Sequence, residues 1–510
     1  MGQEEEEAVR GKLEQLKQVL AEVEDLEMAT AVLYWDQQTQ MPRGGAAARA
    51  DQVTTLRRLA HEKFTSPEVG ELLDALADHE RALPYDSDDA SILRVTRREY
   101  SHATKLPRDL VVEMSRAAAE AYHKWVDARQ AKDFGIFVSS LERIVTLSRE
   151  KAQALGYENE PLDALIDLSE PGFGAAELDR LFAELRETLV PLAKAIGERS
   201  DRVSDALFRQ RFDVEKQLEM GRAAVRAIGF NLDDRGRQAL SVHPFSISFT
   251  PDDTRITTRV NEQWLGPSLF GLLHEAGHGT YMQGIPVRYR RTPLHNGASS
   301  GLHESQSRLW ENYVGRSRAF WRFFLPVAKA FFPGQLGRAT VDEVYAAANI
   351  VKPSLIRVEA DEVTYNLHIM IRFELEREVF AGRLAVADLP AAWNAKFQAY
   401  LGITPPDDLV GVLQDIHWTQ SFGGSFQSYT IGNVASVALC RRALADHLGM
   451  EDEWAKGDFS GLLTWMQDNV HAHGAKYKPN ELLLKVTGEE LTPRPYLEHI
   501  KAKYTEIYRL

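Results

Sequence analysis

The octapeptide Leu272-Leu273-His274-Glu275-Ala276-Gly277-His278-Gly279 constrains this chain more than any other stretch. It carries the pattern H-E-x-x-H. Each residue of an α-helix advances by about 100°, so His274 and His278 fall one turn apart on the same face. Both imidazoles can then point at one metal ion, while Glu275 is offset to the side, within reach of a water at the metal rather than of the metal itself. The apolar residues just before the motif, Leu269, Phe270, Leu272 and Leu273, place this helix in the interior. Three ionisable side chains on one buried turn are costly unless something pairs with them. That cost favours a zinc-type hydrolase helix over a core helix whose histidines are satisfied by hydrogen bonds alone.

Catalytic zinc takes three protein ligands and keeps a fourth position open. The single cysteine, Cys440, rules out a thiolate cluster and an internal disulfide, and it fits a reducing compartment. A metzincin would continue with Gly three and His six residues after His278, where this chain has Tyr281 and Gly284. A carboxylate from a following helix is the other common solution. Leu302-His303-Glu304-Ser305-Gln306 offers Glu304, with His303 adjacent and Glu311 two turns along, and spacing alone leaves the choice open. With two histidines and a glutamate on zinc, Glu275 would take a proton from the water that attacks an amide carbonyl. A Tyr, His or Arg from elsewhere would then meet the oxyanion.

A net charge of −14 argues against a nucleic-acid partner, which needs a basic face. No run of about 18 apolar residues suggests a membrane span. The acidic start Met1-Gly2-Gln3-Glu4-Glu5-Glu6-Glu7 lacks the apolar centre of a signal peptide. Gly2 is not followed by a myristoylation signal either, because Glu6 stands where Ser or Thr is wanted. A cytoplasmic protein is expected.

Periodicity predicts a mainly α fold, a single domain over residues 1–510 with a small β-hairpin or sheet beside the zinc helix. An N-terminal helix carries Leu13, Leu16, Leu20 and Val23 at heptad-like spacing and breaks at Trp35-Asp36 and Met41-Pro42-Arg43-Gly44-Gly45. Helical pattern continues to about 240. Pro107 opens a helix bearing Leu110, Val111, Met114, Ala118, Tyr122 and Trp125, and Pro191 kinks or ends another that bears Leu178, Leu181, Phe182, Leu185 and Leu189. Residues 242–260 are rich in β-branched and aromatic side chains around Pro251-Asp252-Asp253, which predicts a hairpin. Its edge could hold an extended peptide by added backbone hydrogen bonds. Pro267 then opens the metal helix, residues 303–315 look helical, and helical pattern resumes from about 342, so that about 267–510 forms the metal-binding and C-terminal region.

Taken together, the motifs resemble the carboxypeptidase Taq family of metallocarboxypeptidases over nearly the whole chain. The resemblance rests on Trp35-Asp36 with Met41-Pro42-Arg43-Gly44-Gly45, on Asp163-Ala164-Leu165 with Glu170-Pro171-Gly172, and on His243-Pro244-Phe245 with Asp253-Thr254-Arg255-Ile256-Thr257. It continues through the H-E-x-x-H stretch, His303-Glu304-Ser305-Gln306, Ile356-Arg357-Val358-Glu359-Ala360-Asp361 and Gly411-Val412-Leu413-Gln414-Asp415-Ile416-His417-Trp418. It implies a saddle-like helical fold with a deep active-site cleft, commonly a homodimer, that releases C-terminal residues one at a time with broad specificity and with proline disfavoured. It carries over Glu304 as the third ligand, Arg357 as the clamp for the substrate's terminal carboxylate, and His417 and Tyr429 as residues facing the scissile carbonyl. Asp253 and Arg255 match a family motif as residues that bind substrate or brace the hairpin. The chain departs from many relatives at Gly423-Gly424-Ser425-Phe426-Gln427-Ser428-Tyr429, where a Gly-Tyr-Phe-Pro-Thr-Tyr-like run is usual and only the last tyrosine is kept.

The expected protein is thus a metal-dependent carboxypeptidase acting on peptides with a free C-terminus, with one divalent metal per chain. Zinc is the default and cobalt or manganese are alternatives. An oligopeptidase cutting internal bonds and a scaffold with a structural metal are the competing readings. An aminopeptidase is disfavoured because the chain has no Gly-x-Met-Glu-Asn motif.

Overall fold

The computed structural model describes residues 3–510, so the Met1-Gly2 start lies outside the described residues. The first helix, Gln3–Thr39, buries Leu13, Leu16, Leu20 and Val23, the face that the heptad-like spacing marked. It does not break at Trp35-Asp36. Trp35 is 2% exposed and packs edge-on against Phe245 at 5.7 Å, while the Asp36 carboxylate accepts from Arg49 at 2.7 Å on the next helix, Ala46–Phe64. Docked on both sides, the helix runs on until Met41-Pro42.

Apolar side chains sort into two cores. One gathers the first helix with Val214–Ala227, Gly266–Gly284 and Arg318–Phe331. The other gathers Val138–Leu155, Ala175–Gly197, Tyr365–Phe380 and Arg494–Tyr508. The helix Gln427–Asp446 belongs to both, with Ala435, Leu439, Cys440 and Ala443 in the first core and Ile431, Val434 and Val437 in the second. With apolar side chains on two faces, each turned to a different core, this helix forms the seam. A deep cleft opens where the cores meet, between Phe208 and Phe270 of the first and Tyr365 of the second.

Several elements differ from what the pattern suggested. The helix Arg108–Ala131 leaves Val111 and Tyr122 exposed and buries Ala117, Ala121 and Ala128, a stripe of small residues that hydropathy underrates. Pro191 lies inside Ala175–Gly197, because buried Leu185, Leu189, Leu192 and Ile196 continue the apolar face on both sides of it. Arg318–Phe331 is helical as well, with Phe320, Trp321, Phe324 and Leu325 buried.

The hairpin is present as β2, Ser246–Thr250, paired antiparallel with β3, Asp253–Thr258, so that Ser248 lies opposite Thr254. A further strand, β1, Gly236–Leu240, runs parallel to β3 and completes a sheet of order β1-β3-β2. Gly236-Arg237-Gln238-Ala239-Leu240 has little intrinsic strand preference, and its neighbour β3 decides its conformation. The Gln283 amide donates to the carbonyls of Asn231 and Arg235 at 3.0 and 3.2 Å, which ties the approach to β1 to the end of the Gly266–Gly284 helix.

That helix lies against Ser300–Arg308 with almost no space between the backbones. A Cβ added at Gly277 would sit 2.6 Å from the Gln306 carbonyl oxygen and from Ser307 Cα. One added at Gly432, on the seam helix, would sit 2.5 Å from Glu304 Cγ. Gly277→Ala is expected to force the two backbones apart and lower unfolding stability by about 1–3 kcal/mol, read by denaturant titration. Gly271→Ala on the same helix, where an added Cβ meets nothing within 4 Å, is the control expected to remain near wild type.

Candidate metal centre and substrate cleft

The metal helix, Gly266–Gly284, starts with Pro267 in its first turn, where the missing N–H costs nothing. Its partner, Ser300–Arg308, starts with Ser299, whose hydroxyl accepts from the Leu302 N–H at 3.1 Å. The Gly301 N–H donates to Glu170 at 2.6 Å, so the Glu170-Pro171-Gly172 motif holds the start of this helix. Burial pushes the Glu170 carboxyl up to about 7, against the pull of the Gly301 N–H and the nearby Ser428 and Ser299 hydroxyls. After Arg308 the chain passes into a π-helical stretch, Leu309–Val314, which carries Glu311 beneath His274. Single wide turns of this kind recur at functional sites.

One ligand atom from each of His274, His278 and Glu304 lies within 4.8 Å of the others. The Glu304 Oε2 is 3.6 Å from His274 Nε2 and 3.4 Å from His278 Nε2. The other ring nitrogens are occupied. His274 Nδ1 donates to Glu311 Oε2 at 2.9 Å, and His278 Nδ1 meets His303 Nδ1. Burial, with help from His278, pushes the His303 imidazole down to about 3, so it is neutral and accepts from His278. Both ligand histidines are thereby fixed with Nε2 free and facing Glu304, which is the arrangement a two-histidine, one-carboxylate metal site needs. Of the groups that spacing left open, Glu304 faces the histidine pair, while Glu311 and His303 stand behind it.

Burial favours the neutral form of both carboxylates, and neighbouring cations overrule it. Arg308 and the two histidines hold Glu304 well below the usual carboxylate range. Arg308, His274 and Arg316 bring Glu311 down to about 2. Arg308 Nε donates to Glu304 at 2.7 Å and its Nη1 to Glu311 at 3.2 Å, and Arg316 donates to the other Glu311 oxygen at 3.2 Å. Glu275 is 6% exposed, and burial raises its carboxyl against the opposing pull of His274 and His278.

His274, Glu275, Glu304, Arg308, Glu311 and Arg316 line a cleft of about 720 Å³ that also contains His243, Arg357, Tyr365, His417 and Tyr429. Arg357 is 5% exposed. Its Nε and Nη2 donate to Asp415 Oδ1 at 3.1 and 2.8 Å, and its Nη1 donates to the Tyr365 hydroxyl at 2.9 Å. Arg372 donates to the second Asp415 oxygen at 2.6 Å. A guanidinium has five N–H donors, so one remains on each of Nη1 and Nη2, a fork suited to a carboxylate. The His417 Nε2 lies 3.4 Å from the Tyr429 hydroxyl. Burial, with Arg357 and Arg372, pushes His417 down to about 4 despite Asp415, and burial pushes Tyr429 up to about 12. At neutral pH His417 is therefore uncharged and Tyr429 keeps its proton.

Asp253 and Arg255 are placed differently. They pair with each other through two contacts of 2.8 Å on β3, and the Arg255 guanidinium lies over Phe249 at 4.8 Å and Trp35 at 5.6 Å. Neither lines the cleft. Sequence reasoning missed Arg308, Arg316, Tyr365 and Arg372, and it quoted Asp415 only as part of a motif. The spacing of Glu304, Arg308 and Glu311 on one helical face was the available signal for the first of them.

The model of the carboxypeptidase Taq (M32) metallopeptidase family matches residues 15–504. Thermostable carboxypeptidase 1 of Thermus thermophilus is 40% identical over 487 residues, which cover 94% of this chain and 95% of that protein. Carboxypeptidase 1 of Bacillus subtilis is 36% identical over 482 residues, 94% of this chain and 96% of that one. The crystal structure of an M32 carboxypeptidase from Deinococcus radiodurans superimposes with a TM-score of 0.95 at 43% identity, covering 98% of this chain and 100% of the other. Metallocarboxypeptidase 1 of Trypanosoma cruzi gives 0.92 at 30% identity, covering 97% and 99%.

Removing the carboxylate behind His274 is expected to loosen the metal while leaving all three ligands in place. Glu311→Gln should weaken affinity for zinc by about 10–100-fold in a chelator competition titration.

Proposed function

This chain belongs to the carboxypeptidase Taq family of metallopeptidases, and we propose that it removes residues one at a time from the C-terminus of peptides, with broad side-chain preference. The observation that carries this reading is the Arg357 fork in the same cleft as the His274, His278 and Glu304 donors and Glu275. A carboxylate clamp near the hydrolytic centre selects the last peptide bond. Proline is expected to be released poorly, because an X–Pro bond lacks the N–H and has a fixed φ.

His274 Nε2, His278 Nε2 and Glu304 Oε2 would hold the metal, which when bound would supply Lewis-acid chemistry towards the peptide carbonyl and towards water. Zinc is the resident we propose, since three N/O donors from two histidines and a carboxylate suit it, and cobalt or manganese fit the same donors. Glu275 takes the proton from the attacking water and delivers it to the leaving amine. Tyr429, protonated at neutral pH, donates to the oxyanion that develops on the carbonyl oxygen, and neutral His417 stands beside it on the same side. Asp415 and Tyr365 hold Arg357 flat so that its two spare N–H groups face the substrate carboxylate. Asp253 and Arg255 act from a distance by bracing the hairpin. We further propose a cytoplasmic homodimer with neither nucleic acid nor membrane as a partner.

Product masses followed over time on a peptide with a free C-terminus test the whole reading. A ladder shortened stepwise from that end, stopped by a chelator and restored by metal, is the expected result. Internal fragments would point to an oligopeptidase, and no cleavage of a varied panel by the metal-loaded protein would favour a scaffold. Glu275→Gln is expected to lower kcat by about 10²–10⁴-fold with metal content unchanged. Arg357→Ala should cost about 10²-fold or more in kcat/KM on free C-termini, whereas on C-terminally amidated peptides it should cost little.

A further inference from the structure

The His243-Pro244-Phe245 motif has no part in the chemistry above, yet the fold holds it with care. It lies in the loop joining β1 to β2. The Ser241 N–H donates to the Thr258 carbonyl at 3.1 Å, and its hydroxyl donates to the His243 carbonyl at 2.7 Å. Phe245 is tied to β3 through Thr257, by N–H to the Thr257 hydroxyl at 2.8 Å and by the Thr257 N–H to the Phe245 carbonyl at 2.9 Å. The Phe245 ring is wedged against Tyr34 and Trp35 of the first helix at 5.6 and 5.7 Å. Between these anchors Val242 is 95% exposed, and His243 projects into the cleft.

The imidazole of His243 is exposed at the cleft and has no aromatic ring against it among the described residues. Its one polar contact is between Nδ1 and the carbonyl of the next residue, Pro244, at 2.8 Å. A carbonyl oxygen only accepts, so Nδ1 carries the hydrogen, and Nε2 is the ring nitrogen left for another partner. The ring is close enough to add to the electrostatic field at both Glu275 and His417, on different walls of the cleft. It also stands immediately before β2, which is an edge strand of the sheet. Of this loop and strand, His243 and Pro244 line the cleft that also holds His274, Glu304 and Arg357, so the loop is the part that a bound peptide would meet.

We infer that His243 is a further substrate-contact residue, whose Nε2 hydrogen-bonds the main chain of the bound peptide beside the bond to be cut. This rests on the carboxypeptidase reading of the cleft. The anchored loop presents a side-chain nitrogen to the cleft that holds His274, Glu275 and Glu304. Contact with the main chain rather than a side chain is compatible with broad side-chain preference.

The test compares wild type, His243→Ala and His243→Gln by steady-state kinetics on a free-C-terminus peptide. Calorimetric binding of the same sequence ending in a D-residue, which resists cleavage, is measured alongside. His243→Ala should lose about tenfold or more in kcat/KM and bind the uncleaved peptide more weakly by a similar factor, a loss of the size expected for one hydrogen bond. His243→Gln, which keeps a polar tip, should recover most of it. Metal content and melting temperature should stay at wild-type values. Kinetics and binding within twofold of wild type would overturn the assignment, and so would a loss matched by falling metal content or stability. If wild type released no C-terminal residue at all, the carboxypeptidase reading would fall, and the binding comparison would still decide the His243 contact.

Discussion

Two carboxylates and two imidazoles, buried or half-buried together at the contact of two helices, are the constraint around which this protein is built. Left alone, burial would protonate Glu304 and Glu311 and destroy the site. Arg308 bridges the two carboxylates and Arg316 supports the second. The result is a network in which each charge has an opposite partner and each of the two histidines has its Nδ1 engaged. Such a network is worth having only if complete, since a half-satisfied one costs more than an apolar core. The π-helical stretch at Leu309–Val314 serves it by placing Glu311 below His274 while Glu304 stays in line with both histidines.

The fold outside the network works to hold the two helices at one separation. Gly277 removes the side chain that would push them apart, and Gly432 lets the seam helix close against Glu304 from the other side. The seam helix also joins the two cores, so the geometry of the site and the position of the cleft depend on the same element. On the cleft's far side the Arg357–Asp415–Arg372 cluster repeats the logic in mirror image, with one buried carboxylate between two guanidinium groups. There the surplus of positive charge faces the cleft and suits an anionic peptide terminus.

Much of this was legible in the sequence, and the limits have physical causes. The H-E-x-x-H spacing is a statement about helical geometry, so it places the two histidines side by side without any knowledge of the fold. The hairpin was legible because Phe245, Ile247, Phe249 and Ile256 alternate around a turn. β1 was not, since a parallel strand takes its conformation from its neighbour. Trp35-Asp36 resembled a break because polar and aromatic residues interrupt the apolar period, whereas Phe245 and Arg49 turn both into docking points. Asp253 and Arg255 formed a motif that invited a binding role, and their side chains face each other.

By itself the sequence determined that His274 and His278 share a helical face, that Glu275 lies beside them, that the helix is buried, and that the chain is mainly helical with one small hairpin. These follow from periodicity and from the cost of burying ionisable groups, both local properties. Spacing left Glu304, Glu311 and His303 open and the family resemblance pointed to Glu304; the tertiary structure showed that it faces the histidine pair, that Asp415 and Tyr365 leave Arg357 two free donors, and that His243 reaches the cleft from a loop between strands. The reason is that each of these depends on how close two distant backbones come. That distance is set by packing at Gly277, Gly432 and the seam helix, and no local pattern encodes it.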